Sequence, residues 1–562
     1  MRFKKSLCLL IVFIGIFSYS QPEINFENNS GYDNMQSSPL GLIEVGPQLI
    51  SIESTYGNNF NQTDLIIVNK QDGTEIYTQN LSNSYEEDYR ITPAVISPQQ
   101  PGYFFTILNS TDDYNTNENI YITSLYNYEV SNGLTLLNSY ENTITDKLLF
   151  NDSYLYLIDS RALSINVINL IDYEITENIS LVLDDTSFTS SSVFELENND
   201  FLLKGNINSG NSDNDVYLAK FDLTGQVIWE QTIAGNRNDY IKEVKGINGD
   251  IYLCGKSLSY DGIFADQYGP GIEWGDEPFK TNWALKLDGN GNVIWNKLFA
   301  PSWNTQFSGE FSNIYNSDGF IILSGSTYNQ YDYNPPYDTV NNQDVLAVKI
   351  DLDGNLIWSN AYGGFNNQVF SDVGVSNGQL VYVSNLNRYN FGGPFYYCYG
   401  DVTAEIDGKF ENPLLNGGGS NNNQNDIWIF ATDFDGNILW NQFYGGENYD
   451  YAFNTVFNSN AIYVNSCTRS TEYDVGQLIG EQDSWLFKLG IDTLSSTLFD
   501  DNPLIVYPNP AQNKITINGV REQEIIEIYN VLGQLVMSKN DNVIDISSLE
   551  QGVYTIIIKN NN

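Results

Sequence analysis

Alternating apolar and polar residues dominate the middle of the chain. Four segments share one pattern, in which an alternating strand leads through a D-x-x-G turn to a second strand that contains tryptophan. These segments are residues 215–231, 282–297, 344–360 and 426–442. Glycine suits the turn because it accepts a positive φ, and aspartate suits it because its carboxylate can bond the local backbone. The alternation therefore predicts antiparallel β-hairpins.

One tryptophan recurs near the end of each of these hairpins. The four residues are Trp229, Trp295, Trp358 and Trp440. Tryptophans can serve as platforms for sugars, but placement at the same point of every repeat favours packing between neighbouring sheets. We therefore interpret them as structural residues.

Two further strands follow each tryptophan, which gives four strands per repeat, the period of a β-propeller blade. Weaker copies continue upstream, and together they make seven full blades. Residues 46–54 resemble a fourth strand and residues 483–494 a first strand, so the two could join as an eighth blade. We predict an all-β protein with a β-propeller of seven to eight four-stranded blades at residues 21–500. A small C-terminal β-sandwich is predicted at residues 501–562.

The strong copies resemble the secreted β-propeller repeats common in Bacteroidota, which combine an acidic turn, a Trp strand and a Gly-Gly turn. The segment ATDFDGNILW is also similar to the docking motif of pyrroloquinoline-quinone propellers, although the spacing from Asp433 to Gly436 is one residue shorter. In that family the motif holds neighbouring blades together and does not bind the cofactor, so this second resemblance implies a propeller fold more than a redox activity. We therefore rank a quinone-dependent dehydrogenase last among the candidate functions.

Composition and charge exclude several classes of function. The 562 residues include 25 Lys and Arg against 70 Asp and Glu, a net charge of −45, which repels nucleic acid and anionic lipid. Histidine is absent from the sequence. Catalysis by a Ser-His-Asp triad and zinc sites built on histidine are therefore excluded.

The start of the chain has the three parts of a secretory signal. Residues 1–20 contain a basic segment, an apolar run from Leu7 to Phe17 and small residues at 18 and 20. We expect cleavage before Gln21 and export to the periplasm. No later stretch has 18 uninterrupted apolar residues, so no transmembrane segment is predicted in the mature chain.

The last sixty residues read as short alternating strands separated by turns. The order VYPNP, IYNVLGQLV and IDISSLEQGVYTIIIK resembles the type A C-terminal sorting domain of proteins exported by the type IX secretion system of Bacteroidota. The motif residues are Pro508, Asn509, Pro510, Gly533 and Gly552. The resemblance implies the type IX machinery as a partner and a secreted or outer cell-surface location. Family members usually continue into a final Lys-rich strand, whereas this sequence stops at Asn562.

Two long insertions interrupt the repeat, at about residues 256–281 and 385–425. Aromatic faces beside carboxylates and amides suit glycan binding, because sugars stack on rings and their hydroxyls bond polar groups. In the second insertion the predicted ligand-binding residues are Tyr389, Tyr396, Tyr397, Tyr399 and Asp401. The alternative is that these aromatic residues pack the long loop onto the propeller.

Clustered carboxylates in the first insertion and in the segment TEYDVGQLIGEQD also suit Ca²⁺, which takes six to eight oxygen ligands. The candidate ligands are Asp261, Asp266, Glu472 and Asp474. No stretch matches the full EF-hand loop. Calcium is the only cofactor that the sequence suggests.

Two classes of function follow from these patterns. The first is a secreted or cell-surface β-propeller that acts as a binding or adhesion module, with a surface or extracellular polysaccharide as candidate partner. The alternative is an extracellular carbohydrate-active enzyme, a glycosidase or lyase. Such an enzyme needs no histidine and would use two carboxylates about 5–10 Å apart in the central funnel. The sequence does not identify which carboxylates these would be.

Overall fold

The computed structural model describes most of the chain between Pro22 and Asn560. The described residues are 22, 24–57, 60–82, 87–97, 100–113, 118–151, 154–184, 188–208, 214–259, 261–267, 281–299, 309–317, 319–331, 340–363, 367–387, 425–446, 448–471, 474–490, 505–507, 513–518, 524–530, 534–549, 552 and 554–560. The chain divides into two compact units. Gln21–Ile491 form one, and the residues from Asp492 to Asn562 belong to the other.

The larger unit consists of eight antiparallel sheets, and the first strand of the chain, β1 (Ile24–Ser30), belongs to the last of them. Blade 1 contains β2 (Gln36–Val45), β3 (Gln48–Gly57), β4 (Phe60–Asn69) and β5 (Glu75–Ser82). Blade 2 contains β6 (Glu87–Ile91), β7 (Val95–Ile96), β8 (Tyr103–Asp113), β9 (Glu118–Glu129) and β10 (Gly133–Glu141). Blade 3 contains β11 (Lys147–Asn151), β12 (Tyr154–Asp159), β13 (Ser164–Asn169) and β14 (Ile175–Ser180). Blade 4 contains β15 (Phe188–Glu195), a 3₁₀ turn (Glu197–Asn199), β16 (Asp200–Asn208), β17 (Asn214–Asp222) and β18 (Val227–Ile233).

The second half of the ring repeats this order. Blade 5 contains β19 (Asp239–Ile247), β20 (Asp250–Ser257), a 3₁₀ turn (Gly262–Gln267), β21 (Thr281–Leu287) and β22 (Val293–Phe299). Blade 6 contains β23 (Gly309–Ser317), β24 (Phe320–Tyr331), β25 (Val340–Asp351) and β26 (Leu356–Tyr362). Blade 7 contains β27 (Asn367–Ser376), β28 (Gln379–Asn387), β29 (Asn425–Thr432) and β30 (Ile438–Tyr444). Blade 8 contains β31 (Asp450–Phe457), β32 (Ala461–Thr468) and β33 (Asp483–Gly490), and β1 completes it as the fourth strand.

Apolar clusters between consecutive blades hold the ring together. Among the described residues there are eight such clusters, one for each pair of neighbouring blades. The cluster that closes the ring joins Tyr463 and Leu486 of blade 8 to Leu49 of blade 1 and Phe26 of β1. The fold is therefore an eight-bladed β-propeller, which confirms the predicted class and decides between seven and eight blades.

The predicted arrangement of strands within the blades is wrong in two respects. Residues 46–54 do not close the ring, because Gln48–Gly57 is the second strand of blade 1 and Ile24–Ser30 pairs with Asp483–Gly490 instead. The closing strand, INFENNS, has few apolar residues, so alternation did not reveal it. The D-x-x-G hairpins form the third and fourth strands of their blades, since a repeat alone does not fix where a blade begins.

The smaller unit is a sandwich of two three-stranded sheets. One sheet contains β34 (Ile505–Tyr507), β35 (Lys514–Asn518) and β38 (Val543–Asp545), and the other contains β36 (Glu524–Asn530), β37 (Leu535–Lys539) and β39 (Tyr554–Asn560). Ile515 and Ile544 of the first sheet share one buried cluster with Ile526 and Ile528 of the second. In the part of the chain that the structure describes, no helix is long and apolar enough to cross a bilayer.

Candidate functional site

The two faces of the propeller differ in the length of their loops. Turns between first and second strands, and between third and fourth strands, share one face and span two to six residues each. We call it the tight-turn face. The opposite face, the long-loop face, carries the connections between blades and those between second and third strands. The longest connections lie there, at residues 258–280, 388–424 and 469–482.

On the tight-turn face, tryptophan and lysine side chains of one blade bind the next blade. Trp295 Nε1 and Lys286 Nζ both donate to the carbonyl oxygen of Leu352, each at 3.2 Å. The same pair of donors acts twice more: Trp229 and Lys220 on Gly289, and Trp358 and Lys349 on Phe434. Each accepting carbonyl directly follows the aspartate of a D-x-x-G turn. The D-x-x-G turn thus provides the hydrogen-bond acceptor for both side chains.

Trp440 differs from the other three tryptophans. It is buried, and its Nε1 donates to Oε1 of Gln379 in its own blade at 2.8 Å. In blade 8 the fourth strand is β1, from the start of the chain, so no turn connects the third and fourth strands. The carbonyl that accepts the hydrogen bond of the other three tryptophans therefore has no equivalent in blade 8. Phe26 of β1 takes the place of a tryptophan at the next junction, where its ring lies against Gly73 of blade 1.

Buried carboxylates fix the connections on the long-loop face where they leave the strands. The carboxylate of Asp450 accepts hydrogen bonds from Gly446 N and Ser470 Oγ, both at 2.8 Å. The carboxylate of Asp483 accepts from the backbone N–H groups of Ile479 and Gly480, at 2.6 and 2.8 Å. These hydrogen bonds fix the ends of the loops, so any binding residues in the loops are attached to a rigid scaffold.

Of the four predicted metal ligands, the structure describes the side chains of two, and these lie in different blades. Asp261 is exposed at the 3₁₀ turn of blade 5, whereas Asp474 is half-buried in blade 8, where burial raises the pKa of its carboxyl. The side chains of Asp266 and Glu472 lie outside the described residues. No group of three or more Cys, Asp or Glu side chains within the described residues could hold a metal ion.

The predicted glycan-binding residues of the second insertion lie outside the described residues. They are Tyr389, Tyr396, Tyr397, Tyr399 and Asp401. Of the sorting-motif residues, Gly552 is described and half-buried. The others, Pro508, Asn509, Pro510 and Gly533, also lie outside the described residues.

The first strand of each blade is its inner strand. The strand registers place one residue of each inner strand at a common level around the central channel. In blades 3, 5 and 7 these residues are Lys147, Glu243 and Asp372, which lie opposite equivalent positions of their second strands. Counting in the same way gives Gly41, Lys147, Ser192, Glu243, Asn313, Asp372 and Asn454. The inner side of blade 2 is interrupted between Ile91 and Val95, and there Thr92, whose N–H donates to Thr106 O, completes the set. We call this set the axial ring. Apart from the glycine, every member is polar.

Charges of the axial ring interact across the channel. Burial raises the pKa of the Glu243 carboxyl, while the positive charges of Lys245 and Lys147 act in the opposite direction. Burial also raises the pKa of Asp372 to about 6, and the charge of Glu243 adds to this rise. Blades 3, 5 and 7 are not neighbours, so the charge of Lys147 on Glu243 and that of Glu243 on Asp372 act between blades that are not adjacent in the ring. Coupled carboxyls with raised pKa values are typical of functional sites.

Sequence reasoning missed the axial ring and the junction lysines. Glu243, Asp372 and Lys147 follow no common motif, and only the strand register shows that they are equivalent. The junction lysines do carry a signal, since Lys220, Lys286 and Lys349 each stand two residues before the aspartate of a D-x-x-G turn.

Comparison with known proteins identifies the smaller unit. Residues 505–562 match the family model of the secretion system C-terminal sorting domain. The protein is cargo of the type IX secretion system. Its sorting domain directs export to the cell surface or the extracellular space.

Solved structures that resemble the chain are distant. The β-propeller domain of the Trilobed protease from Pyrococcus furiosus is 11% identical, over 62% of this chain and 89% of that chain, with a TM-score of 0.32. A Bacteroides caccae protein of unknown function is 11% identical, over 48% and 84%, with a TM-score of 0.25. Pseudomonas brassicacearum lignostilbene dioxygenase is 9% identical, over 68% and 87%, with a TM-score of 0.34. Likenesses at this level carry no argument about function. No curated protein matches the chain.

Proposed function

We propose that this exported propeller is a binding module whose long-loop face binds an extracellular or surface polysaccharide. The observation that carries the proposal is the unequal use of the two faces. Side chains of the tight-turn face serve the junctions between blades, whereas all the long connections lie on the opposite face. Loops on a rigid scaffold are the usual carriers of binding residues.

The aromatic insertion supports a glycan as the ligand. It connects Asn387 to Asn425, the ends of two strands that meet at the long-loop face of blade 7. Tyrosine rings beside carboxylates and amides provide stacking surfaces and hydrogen-bond partners for sugars. The net charge of −45 repels polyanions, so the favoured ligand is a neutral polysaccharide.

Binding of defined polysaccharides tests this proposal. We expect the mature full-length protein to bind at least one of a set of neutral polymers, such as xylan, mannan and glucans, in preference to polyanionic alginate. Changing Tyr396 and Tyr397 together to Ala should weaken binding about tenfold, because each aromatic contact contributes about 0.5–1.5 kcal/mol.

The matched control is Tyr154→Ala. This tyrosine is 43% exposed and stands at the first-to-second turn of blade 3, on the tight-turn face, so binding should be unchanged. Equal loss in both variants, or no binding to any of the polymers, would contradict the proposal.

The axial ring favours a second candidate function, polysaccharide cleavage. A glycosidase needs one carboxyl that is protonated near neutral pH, and the raised pKa values of Glu243 and Asp372 fit that requirement. Release of reducing sugar by the wild-type protein, lost in Glu243→Gln and Asp372→Asn while polymer binding persists, would support an enzyme. Binding without release would leave the ring without a catalytic role.

A further inference from the structure

The seam where the ring closes contains a buried carboxyl. Glu53 lies in the second strand of blade 1 and is 6% exposed. Its Oε2 accepts a hydrogen bond from Ser30, the last residue of the closing strand β1, and its Oε1 accepts one from Ser51 Oγ at 3.3 Å. Ser51 also accepts a hydrogen bond from Asn465 Nδ2 of blade 8 at 2.8 Å. One carboxyl thus links blade 1, blade 8 and β1.

Other acidic groups surround this contact. Asp64, on the neighbouring strand of blade 1, accepts hydrogen bonds from Tyr32 OH at 3.0 Å and from Gln62 Nε2 at 2.7 Å. The carboxylate of Asp483, on the strand that pairs with β1, lies against the backbone of Gly31. The segment that follows β1 therefore runs between three carboxyls, of Glu53, Asp64 and Asp483.

These surroundings determine which form of Glu53 the seam favours. Burial raises the pKa of Glu53 to about 7, the hydroxyls of Ser30, Ser484 and Ser51 act in the opposite direction, and the charge of Asp64 adds to the rise. An ionised carboxylate in this position is a desolvated charge next to another carboxylate. The neutral acid avoids that cost and still accepts the hydroxyl of Ser30.

We propose that Glu53 acts as a proton-dependent latch on the closing strand of the propeller. As a neutral acid it holds Ser30 and keeps β1 in blade 8. Loss of its proton leaves a negative charge in the seam and weakens the attachment of β1, so the ring closes more tightly in mildly acidic than in alkaline surroundings. This inference is independent of the ligand of the long-loop face.

Amide hydrogen exchange of β1 tests the latch on the mature full-length protein. After correction for the intrinsic exchange rate, we expect the protection of residues 24–30 to fall roughly tenfold or more between pH 5.5 and pH 8, because the proton is bound more tightly in the closed ring. In Glu53→Gln, which cannot ionise, the protection should not depend on pH and should exceed that of the wild type at pH 8.

A matched control separates the latch from general effects of pH. Asp239 is also fully buried, with a pKa that burial raises to about 7, but it lies between blades 4 and 5. Asp239→Asn should leave the pH dependence of β1 exchange intact. A fall of β1 protection that is equal in the wild type and in Glu53→Gln would overturn the proposal.

The wild-type measurement also decides the question if Glu53→Gln does not fold. Constant protection of β1 from pH 5.5 to pH 8 in the wild type would overturn the proposal by itself. Ser30→Ala supplies a second test: it removes a hydroxyl that binds the carboxyl and lowers its pKa, so β1 should exchange faster at pH 5.5 and keep its full response to pH. Exchange as slow as in the wild type at pH 5.5 would contradict the latch.

Discussion

Single glycines set how closely neighbouring blades approach one another. Gly354, in the D-x-x-G turn of blade 6, has a φ of +75°, and a Cβ added there would lie 2.8 Å from the ring of Trp295 in blade 5. Gly291 stands in the same relation to Trp229. The motif therefore needs glycine for two reasons. The turn requires a positive φ, and the tryptophan that packs against the turn leaves no space for a Cβ.

We expect Gly354→Ala to destabilise the propeller. The positive φ costs an alanine about 1–2 kcal/mol, and the close contact with the indole adds about 1–3 kcal/mol. The free energy of unfolding from urea titrations measures the sum. Gly378→Ala is the control, because Gly378 has a φ of +71° with nothing within 4 Å of the added Cβ. Equal losses in the two variants would show that the indole contact has no energetic role.

Sequence alone predicts this motif but only part of its role. The D-x-x-G turn and the tryptophan recur at fixed spacing, so both could be recognised as repeated elements. Their contact could not be predicted, because Trp295 and Gly354 belong to different blades and meet only when the ring forms. The lysines that share the tryptophan's acceptor were missed for the same reason.

The four repeats with a D-x-x-G turn contain the residues that join neighbouring blades. Lys286, whose side chain is 9% exposed, donates to the carbonyl of Leu352 and pairs with Asp250 at 2.9 Å. Its ammonium also lies 5.0 Å from the centre of the Tyr252 ring. One cation thus joins the second and third strands of blade 5 to the D-x-x-G turn of blade 6.

Lys286→Met should lower the free energy of unfolding by about 1–3 kcal/mol, since a charged donor is lost and the carboxylate of Asp250 keeps no cation. Urea titration again provides the measurement. Lys242→Met is the matched control. The side chain of Lys242 is 51% exposed, and its Nζ lies 3.5 Å from Oε1 of Glu310; ion pairs of exposed lysines contribute little to the free energy of unfolding. A loss in the control as large as that in Lys286→Met would contradict this role of the junction.

At the level of strands, the sequence predicts each hairpin but not the position at which the ring closes. The fourth strand of blade 8 comes from the start of the chain, and its pairing with Asp483–Gly490 depends on contacts more than 400 residues apart in sequence. INFENNS has only Ile24 and Phe26 as apolar residues, too few for an alternation to be recognised. The axial ring is a further consequence of register that no local pattern shows.

Buried carboxyls give the whole molecule a pH dependence. Burial raises the pKa of Asp239 and Glu53 to about 7 and that of Asp450 and Asp372 to about 6. Their unfolded pKa values lie near 4, so the folded protein binds these protons more tightly. This contribution to stability is complete below about pH 4 and is lost as the pH rises through 6 and 7.

We therefore expect the melting temperature to fall from pH 5.5 to pH 8 at constant ionic strength. Repulsion within a chain of net charge −45 acts in the same direction. Differential scanning calorimetry provides the measurement, and Asp239→Asn should flatten the dependence because it removes one of the four titrating groups. A melting temperature that is constant or rises toward pH 8 would show that these carboxyls are ionised in the fold.

The central functional claim is that ligand binding takes place on the long-loop face. Hydrogen exchange of the mature protein, with and without the neutral polysaccharide that binds most tightly, tests it most directly. We predict added protection in residues 256–281 and 385–425 and none in the tight turns at 288–292 and 352–355. Protection confined to the tight turns, or no binding to any neutral polysaccharide, would contradict the claim.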